Sequence, residues 1–467
     1  MPHNLPSPIS RRQALRQCAV GFGALAFTDL LARAAAAKES HGPLAAKSPQ
    51  FPARAKRVIF LFMHGGPSHV DTFDYKPALI RDSGKPLPFE KPRVQFAKTG
   101  NLMQSPWPFR PYGQCGAMVS DLFPHVGALA DDLCFIKSVH GTNEAHGGAL
   151  LKLHTGSDTF VRPSMGSWVS YGLGTENENL PSFITVNPTQ GHGGVGNWSS
   201  AFLPATHQGT PIGSSKSKDK NASIAYLGDG TGKARQRAQL DLLAAMNRDQ
   251  IARTGPDSEL DARIQSFELA FKMQTEAPQV FDLAGETEAT RKLYGLDDPK
   301  TQSFGRQCLL ARRLSERGVR FVQITHGYWD QHEKLSADHG RLACEVDRPI
   351  AGLLRDLKSR GLLEDTLVWW GGEFGRTPTL QGSDGRDHHP HAFTMWLAGG
   401  GVKPGFSYGV TDDYGFYLAD EKVHIHDLHA TILHLLGLDH EALTFRHAGR
   451  DFRLTDVHGD VVRAVLV

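Results

Sequence analysis

Cysteine is scarce in this chain of 467 residues: there are five, with no C-x-x-C pair and no zinc-finger spacing. That spacing demands no disulfide, although an exported protein could form one, and gives no thiolate metal ribbon. Cys18 falls in a segment expected to be removed. Cys115, Cys134, Cys308 and Cys344 are expected mostly as small buried apolar side chains. Charge of one sign is also lacking. The formal net charge is +2 and Lys/Arg do not cluster, which argues against nucleic acid or a membrane surface as partner. Three catalytic signatures are missing as well. There is no G-x-S-x-G elbow, which sets aside a standard α/β-hydrolase. There is no phosphate loop, since Gly228-Asp229-Gly230-Thr231-Gly232-Lys233-Ala234 lacks the final hydroxyl and a preceding strand. No H-E-x-x-H occurs either. After the first forty residues no hydrophobic segment reaches membrane-spanning length, so no transmembrane segment is expected in the mature chain.

The N-terminus carries an address. Ser10-Arg11-Arg12-Gln13 precedes an apolar run from Cys18 to Phe27, and Ala34-Ala35-Ala36-Ala37 follows. A charged region, a short apolar region and a small-residue cleavage site are the parts of a signal peptide. The paired arginines point to twin-arginine export machinery. The expected domain plan is a signal at 1–37, a polar linker at 38–56 and one α/β domain over 57–467. The expected location is the periplasm or outside of a bacterium.

Val58–Met63 is a continuous apolar run stopped by His64-Gly65-Gly66-Pro67, as a strand buried on both faces requires. Similar runs follow at Leu133–Val139, Phe183–Val186, Val319–Thr325, Thr366–Trp370 and Phe393–Ala398. Helical periodicity over Phe304–Arg317 and Arg341–Arg360 stands directly before two of them. The alternation predicts an α/β fold: a mainly parallel sheet with helices on both faces. Residues 188–300 break the rhythm. Asn187–Asn221 reads as long loops and Ala234–Met273 as a charged helix, together a loop-and-helix cap insertion.

In an open α/β sheet, ligands sit at the carboxyl ends of strands. The residues after each predicted strand are therefore informative: His64, His69, Asp71 and Asp74; Thr142, Glu144 and His146; Asp330 and His332; Glu373, Arg376, Asp387, His388, His389 and His391. Histidine is crowded too, with nine of the 23 falling between His388 and His447. Imidazole with carboxylate suits a divalent metal, with zinc, calcium and manganese all compatible. A polar solvated loop would account for Asp330–His332 taken alone, and Asp427 reads as a helix cap with His429 and His434 as packing residues.

With those residues assembled, the chain resembles the exported bacterial proteins grouped as domain of unknown function 1501, relatives of the sulfatases and alkaline phosphatases. The resemblance covers nearly the whole chain. It rests on His64–Asp74, Gly372–Pro378, Gly385–His389 and the tail from His447 to Asp456. It implies an alkaline-phosphatase-like sheet, a metal centre at the strand ends and a nucleophile opening a helix. Counting back from Thr155-Gly156, the sulfatase nucleophile's place falls on His146, with Thr142 four residues earlier. The sulfatase Cys or Ser is missing there, so a formylglycine is excluded. Glu373-Phe374 stands where the superfamily carries Asp-His or Asp-Asn, and His64 where an Asp ends the first strand; one metal is expected. The implied catalytic residues are His146, Thr142 and Arg376. The implied metal set is His64, Asp71, Asp330, His332, Glu373, His388 and His389. The implied activity is hydrolysis of sulfate or phosphate esters, with a sulfated or phosphorylated carbohydrate as partner. The alternative is a non-catalytic, metal-stabilised binding or surface protein on the same fold.

Overall fold

The computed structural model describes residues 44–90, 98–177, 179–213, 232–255 and 257–467. The expected signal at 1–37 lies outside these residues. A single mixed sheet organises the rest. Its strands in chain order are β1 Arg57–Met63, β2 Leu133–His140, β3 Phe183–Val186, β4 Thr210–Ile212, β5 Phe321–His326, β6 Thr366–Gly371, β7 Phe393–Ala398, β8 Phe406–Tyr408 and β9 Val423–His424. The spatial order is β8-β2-β7-β6-β1-β5-β3-β4, with β9 also on β2. β1 runs parallel to β5 and β6 at the centre, while β7 runs antiparallel to both neighbours. The fold is α/β and mainly parallel, as the alternating runs predict.

β1 shows why its run is uninterrupted. Ile59, Leu61 and Met63 enter one core with Leu309, Leu310 and Leu353; Val58, Phe60 and Phe62 enter the other with Leu150, Trp369 and Leu428. With side chains alternating across a strand, burial on both faces leaves no polar position. Helices α5 Gln302–Glu316 and α6 Leu335–Ser359 cover the first face, and α1 His146–Thr155, α2 Met165–Leu173 and α7 Ile425–Leu435 the second. Between α2 and α5 lie α3 Lys233–Thr254 and α4 Ser258–Phe281.

Several elements depart from the sequence reading for local reasons. α6 begins at Leu335, where Leu335 and His339 are buried in a polar-looking first turn. The predicted single helix 234–273 is two, because Gly255 takes φ 90 and ends α3. The stretch read as loop after Asn187 contains β4, which extends the sheet edge beside β3. From Leu44 onward the residues read as linker are bonded to the domain: Lys47 N–H donates to the Leu173 carbonyl and Arg54 N–H to that of Leu435. Asp427 does cap α7, but as the third helical residue of a capping box whose N-cap is His424. All four described cysteines are free; Cys134 and Cys308 are buried, whereas Cys115 and Cys344 are exposed.

Candidate metal centre

The site lies where the topology places it, at the carboxyl ends of the central strands. His64 follows β1, and its N–H donates to the carbonyl of His326, the last residue of β5. Gly65 (φ 115) and Gly66 (φ 85) turn the chain beneath the loop after β5. A Cβ on Gly65 would lie 2.7 Å from the Trp329 nitrogen and 2.8 Å from the Asp330 nitrogen, so only glycine permits this approach.

Asp330 is the hub. Its Oδ1 lies 2.9 Å from His332 Nε2 and 3.1 Å from His388 Nε2, and those two nitrogens are 3.0 Å apart. The other ring nitrogens are already committed. His388 Nδ1 donates to the Glu144 carbonyl (2.7 Å) and His332 Nδ1 to Gln381 Oε1 (2.6 Å). Both Nε2 lone pairs therefore face each other and a carboxylate. Such a face is stable only with a proton or a cation between its members. Metal bonds near 2 Å put neighbouring ligand atoms roughly 3 Å apart, as here. Holding the far nitrogen on an acceptor is how proteins fix a ligating imidazole. Asp387 adjoins the pair, and its Oδ2 is buried without a hydrogen-bond partner. The residues present fit a divalent metal held by Asp330, His332, His388 and Asp387.

His146 opens α1, at the helix start the resemblance implies. Its Nδ1 donates to Glu373 Oε1 (2.7 Å), and its Nε2 lies 3.2 Å from Asp330 Oδ2, off the line of a good hydrogen bond. Glu373 is fully buried and takes the Gly65 N–H on both oxygens (2.9 and 3.1 Å). Burial works against the Asp330 charge, but His146, His332, His388 and the Arg376 guanidinium hold its carboxyl far below the usual range. Burial likewise opposes a charged His146, yet the nearby carboxylates of Asp330 and Glu373 win and push it up to about 9.

The remaining predicted residues sit elsewhere or act through Asp330. Arg376 is fully buried; it reaches Asp330 Oδ1 at 2.6 Å and the carbonyls of Gly65, Gly66 and Trp329, so it holds the hub in place. Asp71 is not brought to the centre: both oxygens receive the equally buried Arg386 guanidinium (2.7 and 3.0 Å), and Ser68 adds a bond to Oδ2. His389 is also turned away, its Nε2 held by the Phe416 carbonyl (2.7 Å) and its ring stacked on His69. Thr142 is exposed, 3.4 Å from Asp158 Oδ2, and lines a separate cavity of about 520 Å³ with Lys152, His424 and Arg453.

The family described as "Protein of unknown function (DUF1501)" matches residues 55–466. The chain belongs to that family. No curated protein matches the sequence. Among solved structures, the chain is similar to the lipoteichoic acid synthase LtaP from Listeria monocytogenes (10% identity, TM-score 0.38, 88% of this chain and 78% of that one). It is similar also to a sulfatase from Pseudoalteromonas sp. (13%, TM-score 0.36, 83% and 69%) and to a protein in the alkaline phosphatase superfamily from Vibrio parahaemolyticus (8%, TM-score 0.35, 84% and 69%).

Two groups of this DUF1501 site were not singled out from sequence. Gln381 is an ordinary loop residue until the fold sets it against His332. His192, whose ring stacks 4.9 Å from that of His146, comes from the insertion. Its only sequence signal is its setting, Gly191-His192-Gly193-Gly194.

Proposed function

We propose that the chain is a metal-dependent hydrolase of sulfate or phosphate esters, its substrate an anionic ester such as a sulfated or phosphorylated carbohydrate. The observation that carries this is the triangle of Asp330 Oδ1, His332 Nε2 and His388 Nε2, with sides of 2.9–3.1 Å. When bound there, a divalent metal supplies Lewis-acid stabilisation of charge developing on the ester. The chain's own residues supply the rest. Glu373 fixes the His146 tautomer by taking its Nδ1 proton in a hydrogen bond, and Gly65 fixes Glu373. With Asp330 neutralised by a cation, His146 keeps one carboxylate, on Nδ1, and presents its Nε2 lone pair toward the site as base or nucleophile. The start of α1 beside it favours an anionic group. Arg376 keeps Asp330 oriented through turnover.

A panel of aryl sulfate and aryl phosphate esters, assayed with added zinc, manganese or calcium, tests this reading. Metal-dependent turnover that falls by about 100-fold or more in His146→Ala is expected, the range of a lost acid–base group. Absence of turnover with every ester and metal would favour the non-catalytic alternative. We further propose twin-arginine export to the periplasm or beyond, supported by Arg11-Arg12 and the apolar run after them. Replacing both arginines by lysine keeps the charge and should leave the full-length chain in the cytoplasm; unchanged export would contradict that route.

A further inference from the structure

The cavity of about 520 Å³ that holds Thr142 takes no part in the Asp330 centre, yet one short segment serves both. Thr142 lines the cavity, and two residues later the Glu144 carbonyl accepts the His388 Nδ1 proton. Helix α1 joins them as well. It begins at His146, and Lys152 on the cavity wall stands six residues on, about 9 Å along the axis.

The wall is rich in uncommitted donors. Lys152 is half-buried, and no hydrogen bond or ion pair holds its ammonium among the described residues. Burial lowers its pKa, a cost that an anion placed against it would remove. His424 caps α7 with Nδ1, which accepts the His426 N–H (3.2 Å), so its ring proton sits on Nε2 and no described group takes it. Burial, with His426 and His140 beside it, pushes the His424 pKa down to about 3, so the ring is neutral. Arg453, from the tail, spends one terminal nitrogen on Glu441 (2.9 Å) and its Nε on the Asp456 carbonyl, which leaves the other terminal nitrogen. The acids on the wall are largely occupied. Asp427 takes the N–H of His424 (2.8 Å) on one oxygen and that of Asp460 (2.9 Å) on the other, and Glu441 holds Arg453. The exposed Asp460 is left to accept hydroxyls.

We propose that this cavity is a subsite for an anionic sugar, a sulfated, phosphorylated or uronate residue of the same carbohydrate whose ester meets the metal centre. An ammonium, a guanidinium edge and a neutral imidazole N–H, drawn from α1, the tail and the start of α7, match an oxyanion group. A volume of about 520 Å³ lies within the range of small-molecule pockets and exceeds what a bare anion fills. Thr142 and Asp460 suit ring hydroxyls. With the ester-hydrolase reading, on which this rests for its substrate class, the substrate carries at least two charged positions.

Calorimetric titration of the full chain with glucose 6-sulfate, glucose and inorganic sulfate tests it. Lys152→Gln is the variant of choice, since glutamine keeps helix propensity and hydrogen bonding while removing the charge. Wild type should bind glucose 6-sulfate at least about tenfold more tightly than glucose or inorganic sulfate. Lys152→Gln should lose about tenfold or more of that affinity, the range of one charge-assisted hydrogen bond. His332→Ala, which breaks the metal centre, should keep the binding. Unchanged affinity in a folded Lys152→Gln overturns the subsite. Binding lost in His332→Ala but kept in Lys152→Gln also overturns it, by placing the sugar on the metal. Inorganic sulfate bound as tightly as the sugar ester overturns it in favour of a free-anion site, and no binding of glucose 6-sulfate removes it outright. None of these readouts needs turnover. A chain that hydrolyses no ester yet binds glucose 6-sulfate through Lys152 contradicts the hydrolase reading and keeps the anionic-sugar site.

Discussion

His146 is surrounded by charges of one sign. Asp330 and Glu373 stand on its two nitrogens, so in metal-free protein the ring carries a proton well above neutrality, to about 9. A pKa raised from the ordinary 6.5 means the imidazolium stabilises the fold fully below pH about 6.5. That contribution is lost as pH rises through about 9. In chelator-treated protein, the melting temperature of wild type should therefore exceed that of His146→Gln most at pH 6 and converge with it by pH 10. A difference that stays constant across this range would show that His146 is not charged by its two carboxylates. Metal and proton compete for the same face, so metal affinity should rise over the same interval.

At the scale of elements, the centre depends on one close crossing: the Gly65-Gly66 turn after β1 passing under Trp329-Asp330 after β5. Gly65→Ala would place a methyl within 2.8 Å of two backbone nitrogens and would force φ 115 on alanine. Strain of roughly 1–3 kcal/mol is expected, released by lifting the Asp330 loop. Calorimetry and zinc titration should find Gly65→Ala both less stable and at least about tenfold weaker for metal, since 1.4 kcal/mol is one decade. Normal zinc affinity in that variant would mean the crossing does not position Asp330. This crossing also shows what a sequence can carry. Gly-Gly-Pro after an apolar run signals a turn at a strand end, and strand ends gather ligands, so His64, His146, Asp330, His332, Glu373 and His388 were all legible. Which carboxylate belongs to the centre was not. Asp71 follows β1 like His64, but Arg386, over three hundred residues away in sequence, claims both its oxygens. His388 and His389 are adjacent, and β-strand alternation sends the first to Asp330 and the second to Phe416. His192 belongs to a segment without periodicity, and only its long-range packing brings it in.

For the whole molecule, the central strands are the buried part, whereas α3 of the insertion after β3 buries no residue. The α/β order was readable because Val58–Met63 in β1 and Leu367–Trp370 in β6 are unbroken apolar runs buried on both faces, with β5 equally buried although it carries Gln323 and Thr325. The edges were less so, β4 being three residues in a stretch rich in glycine and serine. No helix among the described residues is long and apolar enough to cross a membrane. A bound cation on Asp330, His332 and His388 would tie together the loops after β5 and β6, and so would stabilise the entire domain by mass action, about 2.7 kcal/mol at a hundredfold excess over Kd. The most direct measurement is the divalent metal content of the purified chain, paired with thermal melting before and after a chelator. Metal is expected in the wild type, with its loss from the Asp330 centre in His332→Ala and His388→Ala, and a melting temperature that falls by several degrees on chelation. A metal-free wild type whose melting temperature neither a chelator nor added zinc, manganese or calcium can move would contradict it.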